Sequence, residues 1–143
     1  MIKVLVAVNA VVFIAIAVIH FYWALGGTWA AKAVLPVKAD GQLTFKPGFI
    51  ATFFVGLVFI VLTFITLGNL GLFKNYISLK YFACATAFIA AIFFIRFVGD
   101  FKFVGITKKI KNTVFANNDT KYYTPLCLML AIINLIIAGA FLF

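Results

Sequence analysis

Four long apolar runs without a charged side chain constrain this chain more than any other feature. They cover residues 4–23, 49–67, 81–95 and 126–143 of the 143-residue sequence. A helix of about 20 apolar residues spans the ~30 Å hydrocarbon core of a bilayer. The third run reaches that length only by including Lys80 and Arg96, whose long side chains extend towards the two membrane surfaces. The pattern predicts an all-α integral membrane protein, a four-transmembrane-helix bundle.

The boundaries of the runs carry their own signals. Pro47 suits the first turn of the second helix, and Thr124 followed by Pro125 is typical of an N-cap and first helical position. The predicted helices cover residues 4–23, 49–67, 79–97 and 124–143, within a single membrane domain of residues 1–143. The connections are 24–48, a short one around Asn69, and 98–122. The first run is too long for a cleaved signal peptide, so we expect a retained helix.

The charge is strongly one-sided, with 12 Lys and Arg against 3 acidic residues and a net charge of +9. At 66% hydrophobic residues the chain is neither a soluble globule nor disordered. Because the cations lie between apolar runs, they favour membrane orientation over nucleic-acid binding. Four crossings put both termini on one side with Lys3, Lys74 and Lys80. The two long connections hold eight lysines: Lys32, Lys38, Lys46, Lys102, Lys108, Lys109, Lys111 and Lys121. This bias predicts cytoplasmic connections and outward-facing termini.

This topology also predicts that the scarce polar side chains converge at the cytoplasmic ends of the helices. The set comprises His20, Tyr22, Trp23, Arg96, Asp100, Asp119 and Tyr123. In one interpretation they form an interfacial belt, in which Arg96 pairs with Asp100 four residues later. In the other they line a cytoplasm-facing pocket that binds an anionic or amphiphilic molecule through Arg96, with His20 as proton carrier or hydrogen-bond partner.

Two asparagines lie deeper, Asn9 in the first helix and Asn134 in the fourth. Their predicted depths are similar enough for them to meet. We expect an interhelical amide hydrogen bond, worth about 0.6–2 kcal/mol in a membrane.

Cofactor sites are not expected. One histidine cannot supply a bis-histidine haem within the chain, and the sequence shows no His, Asp and Glu cluster for a zinc or di-iron site. Cys84 and Cys127 are predicted about 15 Å apart along the membrane normal. That separation exceeds the roughly 7 Å between the Cα atoms of a disulfide.

The two long connections suggest distinct structures. The spacing of the apolar residues between Phe103 and Phe115 fits a short amphipathic helix on the inner leaflet, and a basic loop fits equally well. The 24–48 connection contains too many glycines and prolines for one helix. It is predicted to form a compact lid over the cytoplasmic end, anchored by Trp23 and Trp29.

Several of these segments resemble a known family. They are His-Phe-Tyr-Trp-Ala-Leu-Gly-Gly at 20–27, Pro36, Gly41, Pro-Gly at 47–48, Arg-Phe-Val-Gly-Asp-Phe at 96–101, Phe115, Asp119 and Tyr-Thr-Pro-Leu-Cys at 123–127. Together they resemble the bacterial membrane-protein family catalogued as domain of unknown function 3995, over nearly the whole chain. The resemblance implies a small four-helix protein of the bacterial inner membrane and carries no activity with it.

Three functions remain open from the sequence. The first is a binding module that accepts a lipid headgroup or small amphiphile in the predicted pocket. The second is an accessory or structural subunit of a larger membrane complex or homo-oligomer, with lipids and protein as partners. The weakest is an intramembrane enzyme that uses His20 as acid or base.

Overall fold

The computed structural model describes residues 1–38 and 42–142, with every side chain in them except that of Lys32. Four of its helices are long and apolar enough to cross a membrane. The helices are α1 (Ile2–Ala24), α2 (Ala31–Val34), α3 (Phe49–Gly68), α4 (Leu79–Val98), α5 (Val114–Asn118) and α6 (Thr124–Leu142). The predicted all-α four-helix membrane fold is confirmed, and the chain is a multi-pass membrane protein.

The long helices follow the predicted spans to within two residues at each described boundary. Lys80 and Arg96 both lie inside α4, as the length of a crossing requires. Gly41, one of the residues behind the family resemblance, and Phe143, the predicted last residue of the fourth helix, lie outside the described residues.

The four long helices pack mainly as two pairs, α1 with α3 and α4 with α6. Gly56 makes the first pair close, because a Cβ atom there would lie 2.6 Å from the ring of Phe21. Aromatic rings join the two pairs in the middle of the bundle. Phe13 of α1 stacks on Phe93 of α4, with 5.6 Å between ring centroids, and also contacts Phe59 of α3.

A buried polar layer fastens the helices near the termini. Asn9 Nδ2 donates to Asn134 Oδ1 at 3.0 Å and to Thr66 Oγ1 at 3.2 Å, so that α1 contacts both α6 and α3. Asn69, just after α3, donates to Thr86 Oγ1 of α4 at 2.8 Å. All five side chains are buried. Since hydrocarbon offers no competing hydrogen-bond partners, these amides and hydroxyls fix which helices meet and at which depth.

The fourth crossing begins differently from the prediction. A turn of π-helix, Asp119–Tyr123, joins α5 directly to α6, so Thr124 lies inside a continuous helical segment and is not its N-cap. The wider π turn accommodates Pro125, which has no N–H group and whose ring clashes with the preceding turn of an α-helix. The Thr124 hydroxyl therefore caps no helix and donates instead to Asp119 Oδ2, at 2.9 Å.

The predicted amphipathic helix between Phe103 and Phe115 is wrong, and the loop alternative holds. Residues 103–113 are irregular, and α5 begins only at Val114. At two positions the exposure is also the opposite of what an amphipathic helix requires, since Lys108 is buried and Ile106 is exposed. Gly105 adopts a positive φ of 78°, a conformation that ends a regular helix.

The polar layer predicts a measurable coupling between α1 and α6. Asn9→Ala should lower the free energy of unfolding by about 0.6–2 kcal/mol, because it leaves Asn134 Oδ1 without its donor in the core, while Asn134 Nδ2 keeps its hydrogen bond to the carbonyl oxygen of Leu130. Unfolding of the detergent-solubilised protein by added sodium dodecyl sulfate measures this change in free energy. A double-mutant cycle with Asn134→Ala should give a non-zero coupling energy. Val11→Ala, at an exposed site of the same helix, is the matched control, and an absence of coupling would contradict the assignment.

Candidate functional site

Both long connections lie at the same end of the bundle, which we call the connection end. The carbonyl oxygen of Ala33, in α2, accepts hydrogen bonds from Tyr123 Oη at 3.3 Å and from Asn118 Nδ2 at 3.4 Å. The 24–48 connection therefore lies against the start of the fourth crossing. Tyr123 also packs on Phe115, with 6.2 Å between the ring centroids.

The carboxylate of Asp119 is the centre of the connection end. It is fully buried, in the π turn before α6. Its Oδ1 atom accepts a hydrogen bond from Arg96 Nη2 at 2.7 Å. Its Oδ2 atom accepts three, from Lys108 Nζ, the Gly105 backbone N–H and Thr124 Oγ1, each at 2.9 Å. Four donors meet the hydrogen-bonding needs of an ionised carboxylate, so this group is built to stay charged.

Two cations share this one carboxylate, which leaves a surplus positive charge in the cluster. Lys108 is 6% exposed, and its Nζ atom also donates to the carbonyl oxygen of Gly105 at 3.0 Å. The Arg96 side chain is 31% exposed. Its Nη1 atom is buried and has no hydrogen-bond partner among the described residues. Half of the guanidinium is thus occupied by Asp119, and the other half has unused donors.

The predicted pairing of Arg96 with Asp100 is wrong. The argument from residues four apart requires a continuous helix, and α4 ends at Val98 because Gly99 adopts a φ of 102°. Asp100 turns instead to its own loop, where Oδ1 accepts hydrogen bonds from the backbone N–H groups of Lys102, Phe103 and Val104. Partial burial raises the pKa of Asp100, but these hydrogen bonds outweigh it and hold the pKa below its usual value.

His20 lies on the other helix pair. Its ring packs on Trp23, with 5.2 Å between centroids, and on Phe59 of α3, with 5.8 Å. Nδ1 lies 2.8 Å from the carbonyl oxygen of Ile16. Since a carbonyl can only accept, Nδ1 carries a hydrogen and Nε2 is the nitrogen left for any other partner.

Tyr22 and Trp23 hold the beginning of the 24–48 connection. Trp23 Nε1 donates to the carbonyl oxygen of Trp29 at 2.8 Å, and the Trp29 N–H donates to Tyr22 Oη at 3.4 Å. Gly27 lets the chain turn over the Tyr22 ring, since a Cβ atom at that position would lie 2.3 Å from it. Both side chains have a clear structural role in folding this connection back on the bundle.

The predicted site residues therefore fall into separate groups. Arg96, Asp119 and Tyr123 lie around the start of the fourth crossing. His20, Tyr22 and Trp23 lie on α1, and no hydrogen bond or ring contact between described residues joins them to Arg96. Asp100 belongs to its own loop.

Sequence reasoning missed Lys108 and Thr124 as partners of Asp119. Lys108 looked like one more lysine of a basic loop. Topology placed Asp119 at this end, and the scarcity of acids, with 3 carboxylates against 12 cations, is the signal that could have predicted a cation partner for it. A buried acid near a membrane needs a cation partner. Which lysine or arginine takes that place depends on the path of an irregular loop, and helical periodicity does not predict that path.

Metal ligands and thiols are the other side chains of the described residues that could carry chemistry. Among residues 1–38 and 42–142, no group of three or more His, Cys, Asp or Glu side chains is placed to hold a metal ion. Cys84 is exposed and Cys127 buried, and both are free thiols.

Comparison with known proteins identifies the family. The family described as "Protein of unknown function (DUF3995)" matches residues 13–134 of the chain. The chain therefore belongs to this family, and the resemblance noted in the sequence is confirmed. Neither a curated protein nor a solved structure matches the chain.

The Asp119 cluster predicts a large difference between two acids of the same end. Asp119→Ala should lower the free energy of unfolding by roughly 3–5 kcal/mol, because it leaves two cations without their buried counter-charge. Asp100→Ala, the matched control, removes the same charge from an exposed loop and should cost about 1 kcal/mol. Denaturation in sodium dodecyl sulfate compares the two variants. Equal losses would mean that Asp119 does not neutralise Arg96 and Lys108.

Proposed function

In this membrane protein of unknown function, we propose that the connection end is a binding site for an anionic amphiphile. The ligand is a molecule with a phosphate or carboxylate headgroup, held at the cytoplasmic face of the bacterial inner membrane. The observation that carries the proposal is the divided guanidinium of Arg96. Nη2 binds Asp119 at 2.7 Å, whereas Nη1 is buried without a partner among the described residues.

The charge of the cluster supports an anionic ligand. Arg96 and Lys108 together carry two positive charges against the single negative charge of Asp119. This surplus is only partly solvated, since the Lys108 side chain is 6% exposed and that of Arg96 31%. A charge withdrawn from water is costly unless another group neutralises it. An anionic headgroup that contacts the exposed part of Arg96 and shifts its side chain would give the cluster the missing charge and Nη1 the missing hydrogen-bond acceptor.

The chemistry of the guanidinium selects the type of ligand. Its planar set of donors matches the oxygen atoms of phosphate and carboxylate groups, and charge-assisted hydrogen bonds of this kind are about twice as strong as neutral ones. Asp119 holds the guanidinium in a fixed orientation. The loss of side-chain freedom on ligand binding is therefore small.

The surroundings favour the arrival of an anion. Four exposed lysines lie in the 98–122 connection, close in sequence to members of the cluster: Lys102, Lys109, Lys111 and Lys121. Such a basic surface attracts the anionic lipids of a cytoplasmic leaflet. Arg96 lies in the last turn of α4, where lipid headgroups are within reach of a membrane-spanning helix.

The decisive variant is Arg96→Lys. It preserves the charge that pairs with Asp119 but removes the second amino group of the guanidinium. We expect retention of phosphatidylglycerol by the detergent-purified protein to fall about tenfold, the equivalent of one charge-assisted hydrogen bond. Native mass spectrometry measures the bound lipid. Inorganic phosphate added to the unchanged protein distinguishes the sources of the anion, because its displacement of the lipid would show that the headgroup alone is recognised.

The matched control is Lys121→Gln, which removes an exposed charge of the same end without touching the Asp119 cluster. We expect its lipid retention to stay within about twofold of the unchanged protein, because exposed charges contribute weakly. Retention that is the same in the unchanged protein and in Arg96→Lys would contradict the proposal. Equal retention of phosphatidylglycerol and phosphatidylcholine by the unchanged protein would contradict it as well.

A further inference from the structure

The loop that follows α4 displays a phenylalanine in an unfavourable backbone conformation. Phe101 has a φ of 63°, in the left-handed region that bulky side chains rarely adopt. Its side chain is 63% exposed. A strained backbone persists only where the surrounding structure enforces it, and such sites are enriched in functional segments. The ring of Phe101 gains little from the protein itself.

Two devices enforce this conformation. Asp100 Oδ1 accepts hydrogen bonds from three successive N–H groups, at 2.9, 2.7 and 3.0 Å. Gly99 and Gly105 cross at very close range, since a Cβ atom on Gly105 would lie 2.5 Å from the Cα atom of Gly99. Asp119 also accepts the Gly105 N–H and so ties the loop to the bundle. The loop is therefore a rigid support for an exposed ring.

The surroundings of Phe101 combine apolar and basic side chains. Ile106 is 60% exposed on the same loop. Lys102 is adjacent, and its carbonyl oxygen accepts hydrogen bonds from the N–H groups of Lys109 and Ile110, which brings a second exposed lysine beside it. The one carboxylate of the loop, Asp100, is engaged by the backbone. Exposed apolar side chains flanked by lysines are typical of segments that lie in the headgroup region of anionic bilayers.

We infer that residues 99–106, the Phe101 loop, anchor the connection end in the surrounding anionic leaflet. Phe101 enters the boundary between headgroups and acyl chains, and Lys102 and Lys109 contact the negative headgroups. The loop starts one residue after Val98, the last residue of a membrane-spanning helix, so the leaflet is within its reach. The inference rests on the exposed tip and its lysines, and it does not depend on ligand binding at Arg96.

Placing an indole at the tip tests the contact directly. The Phe101→Trp variant is reconstituted into mixed vesicles of phosphatidylcholine and phosphatidylglycerol. In one preparation the phosphatidylcholine carries brominated acyl chains, and in the other the phosphatidylglycerol does. The difference in fluorescence between this variant and the unchanged chain isolates the new indole, so Trp23 and Trp29 stay in place. We expect a blue-shifted emission that brominated phosphatidylglycerol quenches about two- to fivefold more than brominated phosphatidylcholine does, from the attraction of the two lysines.

A second variant separates anchoring from folding. Phe101→Gly fits the left-handed backbone without strain and leaves the Asp100 hydrogen bonds intact. We expect its melting temperature in detergent to equal or exceed that of the unchanged chain. A lower melting temperature would show that the ring serves internal packing and would overturn the inference.

Three other results would overturn the inference that the Phe101 loop anchors the connection end in the leaflet. Emission of the new indole that stays water-like and unquenched in both lipids would place the tip in water. Equal quenching by the two lipids would remove the role of Lys102 and Lys109. A water-like emission in vesicles that becomes blue-shifted only in native membranes would assign the tip to a protein partner. The Arg96→Lys experiment fails or succeeds independently of all three.

Discussion

The buried carboxylate of Asp119 is the interaction on which the connection end depends. It binds Arg96 at the end of α4, and Lys108 and Gly105 in the following loop. A single negative charge thus fastens one membrane crossing to the next and fixes the path of the loop between them. Because it must neutralise two cations, it leaves a positive surplus and an unused half of a guanidinium. The proposed anion site is a consequence of this imbalance.

The rest of the bundle distributes its polar contacts by depth. Near the termini, amides and hydroxyls such as Asn9 and Asn134 join helices whose outer surfaces are apolar. In the middle, the rings of Phe13 and Phe93 join the two helix pairs. Since lipid provides no hydrophobic drive between helices, van der Waals packing and interhelical hydrogen bonds supply the specificity. The charges are concentrated near the ends, where headgroups and water reduce their cost.

The sequence predicted the fold well because the bilayer imposes a length and a polarity on every crossing. It also brought Asn9 and Asn134 to the same depth, where the structure joins them. Predictions failed where the backbone leaves regular geometry. Arg96 and Asp100 were paired by helical spacing, but Gly99 ends the helix between them. Lys108 was predicted only as one of eight lysines of the long connections, whereas the irregular loop buries it against Asp119. Helical periodicity says nothing about such a loop.

An experimental density map of the protein in nanodiscs that contain phosphatidylglycerol tests the central claim most directly. The account predicts that the guanidinium of Arg96 lies between the carboxylate of Asp119 and density for an anionic headgroup. Lys108 should then occupy the opposite side of the carboxylate. A map in which Arg96 and Lys108 turn away from Asp119, or in which only neutral acyl chains surround the guanidinium, would contradict it.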